Sequence, residues 1–413
     1  MNTRRQFLAM NAGAALASSL VRTAHADTKT FPYLELEQRI AKRDFRDITK
    51  DVLPTPSMIV DLDLFETNVK KMADYTKATG INLRPHVKVH KSVDIGKRQV
   101  ALGAIGLTTA TIAESELMSG SGIKGVLWTK QPASRNNVAR AVALSKKDPT
   151  FMFVVDDPKV LEWVEQAAEA AKTKCRLAVA VYAGMKRQGI ANGQPAVDLA
   201  KKVIASKHAS FEGFMAYSGT ASHTKGWTAR RQRSTEDLSG VQETVALAKK
   251  AGIPVGIVSG GSTGTYNIDK ELGLTELECG SYIFMDTAYT AVGGKENDTL
   301  YTDWASSLSI LTTIDSKQHS DVATIDYGNK AMARPTDAVK GMPWLQVGNQ
   351  GAEYGALKWK DGGGAELKVG DRVEIFCTNL DMSTNCYDRY YIAKGNQIVD
   401  IWPIMGRSGA AQR

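Results

Sequence analysis

The sequence predicts an α/β protein: a (β/α)8 barrel of the TIM type followed by a C-terminal β-domain. Short β-branched runs alternate with amphipathic stretches from about residue 55 to 290, and beyond residue 300 helical periodicity fades. Repeated βα units imply a parallel sheet, and eight or so over about 240 residues suit a closed barrel better than an open doubly wound sheet. At 413 residues the chain is long enough for one large domain plus a smaller one. A composition of 43% hydrophobic and 23% charged residues is that of a globular protein, which excludes a disordered chain.

Residues 1–26 read as an export signal. Thr3-Arg4-Arg5-Gln6-Phe7-Leu8 precedes an apolar run over 9–21, and Ala24-His25-Ala26 places small residues where a signal peptidase reads. The run is too short for a stable membrane span, and the paired arginines make the signal the twin-arginine type, with a periplasmic address. No stable membrane association is expected once the signal is removed. That route carries proteins already folded. Residues 27–55 are polar and mixed and are expected to pack on the β-domain.

The barrel is expected over residues 56–300. Its strand candidates are 57–62, 81–89, 104–108, 125–129, 151–156, 176–183, 211–218, 255–259 and 281–285, one more than eight. Amphipathic stretches over 65–79, 133–146, 158–173 and 235–250 supply the crossover helices. The β-domain is expected over 301–413, with strands at 304–314, 322–327, 367–376 and 389–404. Turns such as Lys360-Asp361-Gly362-Gly363-Gly364 and Lys394-Gly395-Asn396 join them.

The net charge is +8; residues 1–26 hold three arginines and no acid, which leaves +5 for the rest. No basic run or aromatic-interleaved patch points to nucleic acid. Cys175, Cys279, Cys377 and Cys386 lack the spacing of a zinc site or a disulfide framework. Cys377 and Cys386 are expected either to pair in an oxidising compartment or to be buried free thiols.

Arg84-Pro85-His86-Val87-Lys88-Val89-His90-Lys91 carries the chemistry. On an extended strand Arg84, His86, Lys88 and His90 share one face. Four basic groups on a core strand must be paired or shifted in pKa, and a lysine crowded by cations yields the neutral amine a Schiff base needs. The alternative is an exposed edge strand with a solvated basic face. In a barrel, chemistry sits where strands end at the C-terminal rim, which selects Lys88; Lys91 is expected to begin the next helix.

A second motif, Val258-Ser259-Gly260-Gly261-Ser262-Thr263-Gly264-Thr265, follows a late apolar strand. Glycines let backbone N–H groups approach an anion and the hydroxyls add donors, as barrel phosphate sites after the last strands require, though such a loop can equally be only a turn. It lacks the Gly-Lys-Ser/Thr of a nucleotide P-loop. Phosphate plus aldehyde chemistry points to pyridoxal 5'-phosphate. Arg187, after another strand, is a candidate partner of the pyridine nitrogen or a surface arginine. Tyr217-Ser218-Gly219-Thr220-Ala221-Ser222-His223 also ends a strand. It offers Tyr217 as a cofactor contact and His223 as an acid or base.

These motifs, with Thr55-Pro56-Ser57-Met58-Ile59-Val60-Asp61-Leu62-Asp63 and Glu278-Cys279-Gly280-Ser281-Tyr282-Ile283-Phe284-Met285-Asp286, resemble D-threonine aldolases and their D-serine dehydratase relatives. These are alanine-racemase-type, fold-type III pyridoxal-phosphate enzymes, and the similarity runs from about residue 50 to the C-terminus. The resemblance implies a barrel plus β-domain, Lys88 as cofactor lysine, Arg187 facing the pyridine nitrogen, and Gly261, Ser262, Thr263 and Ser281 around the phosphate. It places His223 near the substrate hydroxyl and implies a homodimer. The family also holds a divalent metal through a His and an acidic or Cys residue two positions later. Here Asn379 replaces that histidine and Asp381 keeps the second position. An amide is a poor zinc ligand, so Mg²⁺, Mn²⁺ or Ca²⁺ is the expected ion if one binds.

The expected activity is therefore retro-aldol cleavage of a small D-β-hydroxy-α-amino acid to glycine and an aldehyde. Elimination by a D-serine or 3-hydroxyaspartate dehydratase, racemisation, and a non-catalytic cofactor-binding protein are the alternatives, the last disfavoured by the β-domain.

Overall fold

The computed structural model describes residues 30–333, 338–360 and 362–407; the export signal expected over 1–26 lies outside the described residues. Its strands in chain order are β1 (Ser57–Asp61), β2 (Asn82–Leu83), β3 (Thr108–Thr109), β4 (Leu127–Trp128), β5 (Met152–Val155), β6 (Cys175–Ala180), β7 (Ala209–Ala216), β8 (Ile257–Gly260) and β9 (Glu276–Leu277). There follow β10 (Leu308–Ser316), β11 (Val322–Ile325), β12 (Ala338–Val339), β13 (Gln346–Asn349), β14 (Gly355–Lys358), β15 (Arg372–Phe376), β16 (Arg389–Lys394) and β17 (Gln397–Pro403). Two compact units hold them: Lys70–Gly280 with the residues from Met405 on, and the residues through Val69 with Ser281–Ile404.

In the first unit all strand pairings are parallel, in the order β2-β9-β8-β7-β6-β5-β4-β3. The ends of this sheet meet: His86 bridges Thr108, and Thr108 N donates to Pro85 O at 2.9 Å, so the eight strands close into a barrel. Helices Val93–Ala101, Ile112–Gly120, Arg135–Lys147, Pro158–Ala171, Gln194–Ala205 and Trp227–Lys250 alternate with the strands. Their starts are written locally. Thr111 and Glu114 form a capping box, Ser134 accepts from Asn137 N, and Asp157 caps a helix that begins with Pro158. Alternate positions of β4 to β7 (Leu127, Met152, Val154, Ala178, Ala180, Met215) form one buried cluster, with Tyr217 and Ile257 packed on it.

The second unit is a nine-stranded sheet in which β10, β11, β14, β13, β12 and β15 close a ring of antiparallel pairs, with β1, β16 and β17 extending it. Residues before β1 join its core: Leu36, Ile48 and Leu53 cluster with Ile59, Leu311, Tyr391, Ala393 and Ile398. Lys50 Nζ lies 2.8 Å from Glu374, which also accepts from Lys340 at 2.9 Å and Ser309 at 2.7 Å. Burial raises the Glu374 pKa, but Lys340 and Lys50 outweigh it and hold the carboxyl well below its ordinary range.

Three expectations are corrected. The run at 57–62 is no barrel strand: β1 lies between β10 and β16 in the other sheet, so the start expected at residue 56 is too early. Its residues are nearly all buried, and a strand apolar on both faces carries no mark of which sheet it joins. The run at 281–285 is not a strand either. The last barrel strand is Glu276–Leu277, and Ser281–Ile283 is a 3₁₀ turn. β12 to β14 are too short and too mixed to show a period and were missed. Among the described residues no helix is long and apolar enough to cross a membrane.

Candidate active site

Lys88 sits just beyond the C-terminal end of β2. The ladder with β9 continues past the two-residue strands, Arg84 N donating to Leu277 O at 2.8 Å and His86 N to Cys279 O at 3.3 Å. There it stops. Gly280 packs so closely that an added Cβ would lie 2.7 Å from Val89 and 3.0 Å from His86 O. The chain then turns on itself: Val87–Val89 is a 3₁₀ turn, and His90 N and Lys91 N both donate to Val87 O. The expectation of four basic side chains alternating along one strand is therefore corrected.

The charges are also managed differently from a simple basic row. Arg84 is buried against Glu276, Nε to Oε1 at 2.8 Å and Nη2 to Oε2 at 3.0 Å, and also donates to Gly125 O. Burial, then Lys88, His90, Lys91 and Arg187, pushes the His86 pKa well below its ordinary value. Burial and Lys91 lower that of His90 to about 3. Both imidazoles are neutral at pH 7. Lys88 is half-buried. Lys91 does not begin the next helix, which starts at Val93; it is 3% exposed, and its Nζ donates to Lys88 O at 2.5 Å.

The Gly/Ser/Thr loop is a braced cradle at the end of β8. Gly261 has φ 77°, and a Cβ there would lie 2.8 Å from Leu277 Cδ2. Ser262 N donates to Thr265 Oγ1 at 3.2 Å, Thr265 Oγ1 in turn donates to Asp269, and so does Ser234. Arg230, wholly buried, donates through Nε to Gly264 O at 2.7 Å and through Nη1 to Thr224 O at 3.0 Å. Burial raises the Asp269 pKa to about 6. Gly261, Ser262 and Thr263 are buried in this loop.

Arg187 is exposed at the tip of a tight loop after β6, where Lys186 bridges Gln188 and Val181 bridges Ile190. Gln188 Nε2 donates to Thr129 O and Gly189 N to Asp156 Oδ2, each at 2.7 Å, which ties the loop to the ends of β4 and β5. The Arg187 guanidinium lies over Tyr217, 5.5 Å from the ring centroid. A small cavity between them is lined by Ala180, Val181, Ala183, Met185, Arg187, Gln188, Met215 and Tyr217. Tyr217 follows β7, and its hydroxyl lies 3.4 Å from Ser222 Oγ. Ser218 caps the short helix Gly219–Ser222, and His223 follows it, exposed.

Five neighbouring strands, β2-β9-β8-β7-β6, thus each end in a chemically distinctive segment. Sequence reasoning found four of the five. The segment after β9 entered only as part of a resemblance, with no role for Glu278, which accepts from Ser259 Oγ at 2.7 Å. Burial, opposed by Ser259 and reinforced by Glu276, raises its pKa to about 7, and Arg84 and Arg187 lower it. Sequence reasoning also missed the braces on the helix Trp227–Lys250, whose buried positions Arg230, Ser234, Asp237, Val241, Thr244 and Ala248 are spaced four and three apart. A polar half continuing an apolar stripe is the signal that could have found them.

In the other unit, Ser281 is buried at the start of its 3₁₀ turn, and its carbonyl accepts from Phe284 and Met285. Asn379 Oδ1 accepts from Met382 N at 3.0 Å as the cap of Leu380–Ser383, and Asp381 lies in that helix's first turn. Among the described residues no three His, Cys, Asp or Glu converge on a point. No disulfide joins any of the four cysteines, and Cys377 is buried while Cys386 is exposed, so the two form neither the expected disulfide nor a pair of buried thiols.

Residues 60–288 match the family "Alanine racemase, N-terminal domain", and residues 307–393 match "Putative serine dehydratase domain". The chain belongs to the alanine racemase N-terminal domain family. A 3-hydroxy-D-aspartate aldolase of Paracoccus denitrificans (strain Pd 1222) is 31% identical over 360 residues, which cover 86% of this chain and 92% of that protein. A D-threonine aldolase of Arthrobacter sp is 28% identical over 356 residues, with the same coverage. The crystal structure of D-threonine aldolase from Filomicrobium marinum has a TM-score of 0.82 at 27% identity, covering 87% of this chain and 97% of that one. The alanine-racemase-type fold expected from resemblance is the fold observed, and this family implies pyridoxal 5'-phosphate.

Proposed function

We propose that this protein is a pyridoxal-phosphate-dependent lyase that cleaves D-β-hydroxy-α-amino acids to glycine and an aldehyde. The observation that carries the reading is that a lysine, a braced Gly/Ser/Thr loop, a histidine and a guanidinium follow β2, β8, β7 and β6, all within one run of neighbouring barrel strands. The cofactor fits that set. A Cβ would crowd the cradle at Gly261, hydroxyls and N–H groups are donors suited to a phosphate, and the His86 imidazole near Lys88 is held neutral, chiefly by burial.

Lys88 Nζ would hold the cofactor through its aldehyde, the 261–263 segment would hold the phosphate, and Arg187 and Tyr217 would orient the ring. When bound, the cofactor supplies the sink for the electron pair released as Cα–Cβ breaks. A ring nitrogen of His223 takes the β-hydroxyl proton, which lets the hydroxyl oxygen become the carbonyl of the departing aldehyde. Lys88 Nζ is the group that returns a proton to Cα.

Product analysis with D-threonine, D-3-hydroxyaspartate and D-serine tests this. Glycine with acetaldehyde or glyoxylate is the expected outcome. A keto acid with ammonia moves the protein to the dehydratases, and the L-enantiomer moves it to the racemases. The same assay with Mg²⁺ or Mn²⁺ against EDTA decides whether a divalent ion takes part. The periplasmic address rests on Arg4-Arg5 and the apolar run after them, and the homodimer on resemblance alone. Fractionation and sedimentation test the two.

A further inference from the structure

Asp237 has no part in the chemistry above, yet it touches both of the segments that frame it. It projects from the N-terminal half of the helix Trp227–Lys250 and is buried. Its Oδ2 accepts from Ser218 Oγ at 2.5 Å and from Thr220 Oγ1 at 2.7 Å, both on the segment that carries Tyr217 and His223. Its Oδ1 pairs with Arg233 at 3.0 Å on its own helix. On the other side lies Gly184, in the loop that carries Arg187. With φ 80°, a Cβ there would fall 2.2 Å from the Asp237 carboxyl carbon. The two segments also touch each other, since a Cβ on Gly219 would lie 2.4 Å from Met185 Sδ.

We propose that Asp237 is a positioning residue, a carboxylate latch that fixes the Arg187 loop and the His223 segment in one mutual arrangement. This rests on the roles given above to Arg187 and His223. Two hydroxyl donors on one carboxylate oxygen, beside a glycine that leaves no room for a side chain, make one rigid contact from two loops. The guanidinium and the histidine then cannot shift independently. An acid suits this place because charge-assisted hydrogen bonds are stronger than neutral ones. Arg233 balances its charge.

Limited proteolysis of the full chain loaded with pyridoxal phosphate tests the latch. Lys186, Arg187 and Lys225 are exposed tryptic sites on the two segments. Asp237→Ala is expected to speed cleavage after all three by at least about tenfold, the opening equivalent of one charge-assisted hydrogen bond, with other sites unchanged. Thr220→Ala and Gly184→Ala, which leave the helix intact, are expected to speed cleavage after Lys225 and after Lys186 and Arg187 respectively. In Asp237→Ala, kcat is expected to fall about tenfold or more while borohydride labelling of Lys88 persists. Unchanged cleavage at these sites, or a uniform rise along the chain, overturns the latch. Absence of label on wild-type Lys88 overturns the functional reading instead, and leaves the proteolysis result to stand by itself.

Discussion

The guanidinium of Arg187 lies over the ring of Tyr217, 5.5 Å from its centroid, which joins the loop after β6 to the segment after β7. Such a contact contributes about 0.5–1 kcal/mol at an exposed site. Its importance is geometric, because both side chains line the small cavity after β6 and β7. Tyr217→Ala is expected to cost little stability and to lower turnover more than it raises KM, measured by steady-state kinetics on D-3-hydroxyaspartate.

Lys88→Ala is expected to abolish the visible absorbance of the bound cofactor and the borohydride-stable mass label. Peptide mapping checks the attachment point. A label on Lys91 would shift the assignment, although its amine is directed to the Lys88 carbonyl.

Gly261→Ala forces a side chain into the left-handed region at φ 77° and against Leu277. The strain is about 1–2 kcal/mol, so a cofactor Kd roughly tenfold weaker is expected by equilibrium dialysis. An unchanged Kd would show that this loop does not hold the phosphate.

Arg84→Met leaves Glu276 buried without its cation and is expected to cost about 3–5 kcal/mol in urea unfolding. The double variant Arg84→Met/Glu276→Leu is expected to recover most of that loss, since an apolar pair of similar volume removes both desolvation costs. No recovery would mean that the Gly125 carbonyl, not Glu276, is the partner that matters.

The Glu278 pKa is raised by burial from 4.5 to about 7. In that window the folded protein keeps a proton that the unfolded chain has released, so this group's stabilisation is full below pH 4.5 and is lost as pH rises through about 7. Glu278→Gln removes the titration. The stability difference between variant and wild type should move in the variant's favour by on the order of 3 kcal/mol from acid to neutral pH. A difference independent of pH would show that Glu278 has the same pKa in the folded and the unfolded chain.

Much of this fold was legible because its signals are local. The helices over 65–79 and 158–173 announced themselves by period, and Pro158 after Asp157 marked a start. The phosphate-type cradle was legible as glycines and hydroxyls after an apolar strand. What stayed hidden was of two kinds. β9 is two residues long, with a buried Glu276 whose partner, Arg84, lies far away in sequence, and so it shows no apolar alternation. Asp237 looks like an ordinary surface acid until the loops that lean on it are folded.

The sequence by itself determined the barrel class and the family, and it marked Lys88 and the Gly/Ser/Thr loop as candidates, because residue type and short-range spacing dictate those. Only tertiary structure decided that β1 belongs to the other sheet, that the basic row breaks into a turn at Val87, and that His86 and His90 are uncharged. Each of these depends on which distant backbone or charge comes within a few ångströms, and burial then amplifies that proximity into a choice of pairing or protonation.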